Sequence, residues 1–388
     1  MLAPLRDYLR PRDPASSPLL CITKDRYFIR MSVSLDPNEP LFRESRWIVA
    51  EDVDVEHLLD IFTSTDANPE EVWSACAKFI QHLYWHKPRR TVLGQKIEDL
   101  PDNHRSKPGC LYQLTELFRS AGSYAKQKRL LNHTMELHRE NGDDYRIARM
   151  LRELSDVNRE LGLRKEGIQQ AREALEICQR LSLTVDQVWC LNSLAFLLCE
   201  DKQLDASKEA VSHAIDLLPE EGHEYLVCQS QRILGGIYRS KGEREKAIHH
   251  FEAALTIASS FNWHDHLFWS NFTLAVLFLD EGAFDGANAH IEQARSHAVG
   301  HTYYLGCVMR RQATIWSRQR RLNEAKFEML GALETHEKLG AARDVEDCRA
   351  LLQEIEGATT SQSIPENPDS DGERIWIGRF FLLLLTSF

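Results

Sequence analysis

One stretch limits what this chain can fold into more than any other. Residues 229–259 read QSQRILGGIYRSKGEREKAIHHFEAALTIAS. Leu234, Gly235, Tyr238, Gly242, Ala247, Phe251 and Ala254 stand at the spacings of a helix-turn-helix hairpin made to stack on copies of itself. Gly235 and Ala247 are small where two helices cross closely, and Tyr238 and Phe251 fill the space beside them. Gly242 closes the first helix, where a residue without a Cβ enters the left-handed conformation at little cost. Such a hairpin cannot bury its apolar faces alone, so it requires neighbours.

The neighbours are present in phase. The small residue at Gly235 recurs as Thr115, Ser155, Ala195, Ala275 and Ala313, at steps of 40 residues and a last step of 38. The turn glycine recurs as Gly122, Gly162 and Gly282, with Lys202 and Arg320 in its place twice. The late alanine recurs as Ala174, Ala214, Ala294 and Ala332, with Thr134 in the first unit. Tyr238 is answered by Phe118, Leu198, Phe278 and Trp316, and Asn158 is the exception. This pattern resembles the tetratricopeptide (TPR) repeat, which implies an all-α right-handed solenoid. Six repeats are expected over 108–340, with a capping helix over 341–357. The usual period is 34 residues, so the extra residues must lengthen helices or the loops between repeats.

The flanks read differently. Residues 1–107 are expected to be a helical N-terminal region, with helices at 51–63 and 68–86 and a connector at 87–107. Within it, 24–35 is ambiguous: alternating Ile29, Met31, Val33 and Leu35 favour a strand, and Thr23 before Asp25 is a weaker sign of a helix start. Residues 358–373 are poor in apolar side chains and are expected to be disordered. Residues 374–388 form a short hydrophobic tail, below the roughly 20 apolar residues of a membrane span.

The phrases LAPLRDYLRP, SRWIVAEDVDVEHLLDIF, HLYWHKPR and KGEREKAIHHFEAALTIASSFNWHDHLFW resemble the C-terminal part of fungal STAND proteins of the NB-ARC or NACHT type. The resemblance implies a winged-helix-like remnant followed by a ligand-sensing TPR half. A phosphate-cradling G-x-x-x-x-G-K-[ST] is not in the sequence, so the resemblance implies a sensor half that starts after the NTPase.

The net charge of −11 argues against a nucleic-acid partner. Nine cysteines with no C-x-x-C pair fit a reducing, cytoplasmic setting. His82 and His86 lie one helical turn apart, but Leu83 stands where a zincin needs glutamate. His249, His250, His264 and His266 show no convergent third ligand, so no metal, cofactor or catalytic residue is expected. The informative surface is the concave one. Projecting the inner positions of each first helix selects Arg119, Arg149, Arg152, Arg159, Trp189, Asn192, Arg232, Arg239, Trp269, Phe272 and Arg310. The expectation is a non-catalytic scaffold that binds an acidic protein or peptide segment through forked guanidinium contacts. The competing reading of the arginines is pairing inside the stack, with Glu153 or Glu160. Two other readings of function stand beside it: a nucleotide-hydrolysing enzyme with its site in the first hundred residues, or a membrane-tethered adaptor.

Overall fold

The computed structural model describes residues 93–120, 122–218, 222–298 and 302–362, with isolated helical positions between 73 and 80. The expectations for 24–35, 51–63, most of 68–86 and the hydrophobic tail fall outside the described residues. Among the described residues fourteen bounded helices follow one another: α1 Leu93–Glu98, α2 Lys107–Ser120, α3 Tyr124–Glu140, α4 Asp144–Glu160, α5 Arg164–Arg180, α6 Thr184–Glu200 and α7 Leu204–Leu217. The series continues with α8 Glu224–Ser240, α9 Arg244–Phe261, α10 His264–Asp280, α11 Phe284–His297, α12 Thr302–Arg318, α13 Leu322–Leu339 and α14 Ala342–Gln362. Among the described residues there is no strand. From α2 to α13 the helices pair as six antiparallel hairpins, each packed on the next, and α14 covers the last.

The 40-residue period now has its cause. Helices α4, α5 and α6 have 17 residues each, and the turns between them have three. Over α4 to α6 lengthened helices make the repeat long; in the next repeat α7 has 14 residues and a longer connection to α8 completes the period. Each turn is built alike. Gly162 N–H donates to Arg159 O at 3.0 Å and Leu163 N–H to Asn158 O at 2.7 Å, the paired bonds of a Schellman stop. That stop needs a left-handed residue, and Gly122, Gly162, Gly242 and Gly282 all have positive φ. Lys202 and Arg320 take the same conformation at φ 64 without being glycine.

The small residues of the pattern mark the helix crossings. Thr115, Ser155, Ala195, Ala275 and Ala313 have no exposed surface, and neither do Thr134, Ala174, Ala214, Ala254, Ala294 and Ala332. Where the small residue is polar, it satisfies itself on backbone: Ser207 Oγ donates to Ala195 O at 2.6 Å and Thr134 Oγ1 to Leu130 O at 2.8 Å. The capping helix α14, expected over 341–357, starts at Ala342 and runs on to Gln362. It takes in 358–362, read from composition as disordered; Ala358 to Gln362 contain neither proline nor glycine to stop it.

The stack winds far enough to meet itself. Ser123 Oγ, in the first hairpin's turn, donates to Leu339 O at the end of α13 at 2.5 Å. Arg343 of α14 donates to Glu160 O of α4 at 3.2 Å. The Tyr124 and Tyr303 rings meet edge to face at 6.2 Å. The seam is tight at one point: a Cβ on Gly122 would lie 2.9 Å from the Tyr303 ring and 3.1 Å from Ala341. Closure narrows the concave groove into a hollow that stays open to solvent.

Candidate functional site

The hollow has a volume of about 320 Å³ and takes side chains from α2, α3, α4, α6, α8, α9, α10, α12 and α14. Its wall holds seven arginines against five carboxylates, a positive balance inside a chain of charge −11. Seven of the eleven residues chosen from the sequence line it: Arg119, Arg159, Arg232, Arg239, Trp269, Phe272 and Arg310. The other four sit elsewhere. Arg149 lies over the Tyr112 ring at 5.3 Å, and Arg152 over Trp189 at 5.1 Å. Asn192 is fully buried, donates to Gln229 at 3.2 Å and accepts from Ser230 at 3.0 Å.

Most of the arginines are already engaged. Arg152 binds Glu153, and Arg159 binds Glu160 and, at 3.2 Å, Glu200. Burial alone would raise the Glu153 carboxyl, but Arg152, Arg119 and Arg149 together hold it below its ordinary range. Arg310 binds Asp347 at 2.6 Å and Asp344 at 3.0 Å. Arg119 binds Glu116 at 2.7 Å, and Arg239 reaches Asp280 at 3.4 Å. Pairing within the stack therefore accounts for five of the seven arginines picked from the sequence: Arg152 and Arg159 with the expected Glu153 and Glu160, and Arg119, Arg239 and Arg310 with acids the sequence reading did not name.

Arg232 differs. Among the described residues no carboxylate pairs with it; Nη1 lies 3.5 Å from His266 Nδ1, and the buried Nε has no hydrogen-bond partner. Arg311, which the fixed-position projection skipped, is the same case. It lies 5.3 Å from the Phe272 ring centre, has a buried and unpartnered Nε, and among the described residues has no carboxylate in ion-pair reach. Burial, then the neighbouring Arg310 and Arg239, pulls the Arg311 guanidinium down to about 9. Burial likewise depresses Arg232. Burial, and after it Arg232, drives His266 down to about 3, so its ring is neutral at ordinary pH. Two cations kept from water and unpaired are costly to fold, and an anion in the hollow would relieve both. Gln127, fully buried with both amide atoms unpartnered, also lines the hollow.

An aromatic shelf adjoins these cations. Tyr225 meets His266 at 4.3 Å, Trp263 at 5.2 Å and Trp189 at 5.5 Å. Trp269 meets Phe272 at 5.7 Å and Tyr304 at 5.6 Å. The histidines weighed in the sequence as metal ligands do not converge. His250 stacks on Tyr238 and bonds Gln231 at 2.6 Å, while His264 faces His297 at 3.4 Å.

No family model matches the chain, and no curated protein matches it. Among solved structures it is similar to a Rap protein complexed with competence and sporulation factor, at 14% identity and a TM-score of 0.55, over 88% of this chain and 98% of that one. It is less similar to a tetratricopeptide repeat protein from Parabacteroides merdae, at 12% identity and a TM-score of 0.47, over 78% and 99%. A STAND protein with a TPR sensor from Pyrococcus horikoshii follows at 12% identity and 0.42, over 80% and 54%. The last two are too distant to argue from. The chain has the fold of a TPR-like helical solenoid.

Proposed function

We propose that the chain is a non-catalytic binding module that takes an acidic peptide or protein segment into its central hollow. The observation that carries this is the pair Arg232 and Arg311, buried on the wall with no carboxylate of the described chain to neutralise them. A carboxylate is the natural complement of a guanidinium fork, and the aromatic shelf offers an apolar anchor beside it. At about 320 Å³ the space sits at the small end of ligand pockets. It suits one or two side chains of a threaded segment, not a folded domain. The similar Rap protein is one complexed with competence and sporulation factor; a bound factor of that general kind is the occupant this reading assigns. The chain would work as the sensing half of a STAND-type system in the cytoplasm, a setting consistent with its eight described cysteines all being free.

The test is binding of labelled peptides rich in Asp and Glu to the full chain, against matched peptides rich in Lys. The acidic set binds, and Arg232→Glu with Arg239→Glu weakens it at least tenfold while leaving the helical circular-dichroism signal. Equal binding of both sets, or capture unchanged by the double reversal, removes the reading.

A further inference from the structure

We propose that Cys307, His336 and Asp344 form a site for one zinc-class divalent cation, which ties the last repeat to its capping helix. The three come from α12, α13 and α14, and their ligand atoms all lie within 4.8 Å of one another. All are buried: Cys307 is 2% exposed, His336 0% and Asp344 7%. Tetrahedral zinc with bonds of about 2.3 Å to sulfur and about 2.0–2.2 Å to nitrogen and oxygen sets its ligands roughly 3.3–3.8 Å apart. Side-chain movements of about 1 Å close the present triangle to that size. A thiolate, an imidazole and one carboxylate select zinc over the oxygen-seeking calcium or magnesium.

The independent sign of a ligand is His336. Its imidazole has no exposed surface, and among the described residues neither ring nitrogen has a partner in hydrogen-bond geometry, although the Gly306 backbone lies alongside. Buried polar groups in that state call for an explanation, and a cation on one nitrogen supplies it. The chain also makes room for the ring. A Cβ at Gly306 would stand 2.8 Å and 2.9 Å from two imidazole atoms, so only glycine lets the ring lie against α12.

The surroundings suit a divalent charge. Tyr303 Oη donates to Asp344 Oδ2 at 3.2 Å, the kind of outer contact that orients a ligating carboxylate. Arg310 binds both Asp344, at 3.0 Å, and Asp347, at 2.6 Å, so it keeps a partner when Asp344 turns to the metal. Arg310 and Arg343 face Glu160, Asp344 and Asp347 here, a local charge of −1. A divalent ion that displaces the Cys307 thiol proton to solvent brings this to zero. The ion would stiffen the helices that present Arg343 to Glu160 and Leu339 to Ser123, the two hydrogen bonds of the seam. No short-range motif announces the site, since its ligands are 29 and 8 residues apart along the chain.

The test uses the full chain freed of metal and titrated with Co²⁺, whose thiolate charge-transfer band in the near ultraviolet reports a cysteine ligand. One equivalent should give the band, Zn²⁺ should displace it, and Zn²⁺ should raise Tm. Cys307→Ser should abolish the band, and His336→Gln should weaken binding about 100-fold or more. Cys199→Ser, at a half-buried cysteine elsewhere, should leave it intact. Should Cys307→Ser fail to fold, the wild-type band and the His336→Gln titration still decide. No thiolate band at one equivalent, or a band that survives both ligand substitutions, overturns the proposal.

Discussion

Two adjacent glycines in α8 give the sharpest check on the helix packing. A Cβ at Gly235 would lie 2.7 Å, 2.8 Å and 2.8 Å from three atoms of the Phe251 ring, where ordinary contact begins near 3.4 Å. Phe251 is 2% exposed and held in a cluster with Ala247, Leu274 and Leu277, so moving the ring means shifting packed neighbours. Overpacking of this kind costs about 1–3 kcal/mol. Alanine returns about 0.8–1.0 kcal/mol of helix propensity. Gly235→Ala should therefore destabilise by about 1 kcal/mol, within a range of about 0–2. Gly236 has no heavy atom within 4 Å of its would-be Cβ. Gly236→Ala keeps the propensity gain and should stabilise by about 1 kcal/mol. Thermal unfolding of the full chain by circular dichroism should separate the two by several degrees, since about 1 kcal/mol moves Tm by roughly 2–4 °C in domains of 150–250 residues. Adding Phe251→Leu to Gly235→Ala should recover part of the loss, because the clash is with the ring. Shifts of the same sign, or Gly235→Ala the more stable, would refute the crossing described here.

Two further outcomes follow from the seam and the buried histidine. Gly122→Ala and Gly162→Ala both place a side chain at positive φ, at about 1–2 kcal/mol each, but only Gly122 also meets Tyr303 and Ala341. Small-angle scattering should show a larger radius for Gly122→Ala alone; equal radii would mean the seam does not hold the ring shut. His266 is depressed from 6.5 to about 3 by burial and by Arg232. Below pH 6.5 the unfolded chain takes up a proton that the folded ring refuses, so stability falls as pH falls, by up to about 1.4 kcal/mol per unit down to about pH 3. His266→Gln should flatten that slope, as read from urea midpoints between pH 7 and pH 4; an unchanged slope would place the proton elsewhere.

The architecture was legible because it is written in residues whose size has one use. The alanines at steps of 40 are small because helices cross there, and the glycines recur because each turn needs a left-handed residue. The turn positions were legible even where Lys202 and Arg320 replace glycine, since phase alone located the left-handed residue. The site was legible only in part. Arg232, Arg239, Trp269 and Phe272 were found by projection onto the inner face. Arg311 was passed over because a fixed set of positions treats the inner face as a line, whereas the wall is broad enough for Arg310 and Arg311, about 100° apart around α12, both to reach it. Arg343 and Gln127 carried no local signal. They join the wall because the solenoid closes on itself, and closure depends on the accumulated angle of six hairpins, not on any one of them. Which arginines stay unpaired is likewise a matter of neighbours one repeat away, such as Glu200 beside Arg159.

The central claim is that the hollow is an anion-binding cavity whose unpaired cations are Arg232 and Arg311. Isothermal titration of the full chain with an acidic peptide, in the wild type and in Arg232→Met with Arg311→Met, at low and at high salt, tests it most directly. Each charge-assisted bond lost is worth about 1.5–3 kcal/mol, so the double substitution should weaken binding at least tenfold and reduce its salt dependence. Affinity and salt dependence that match the wild type would contradict the account.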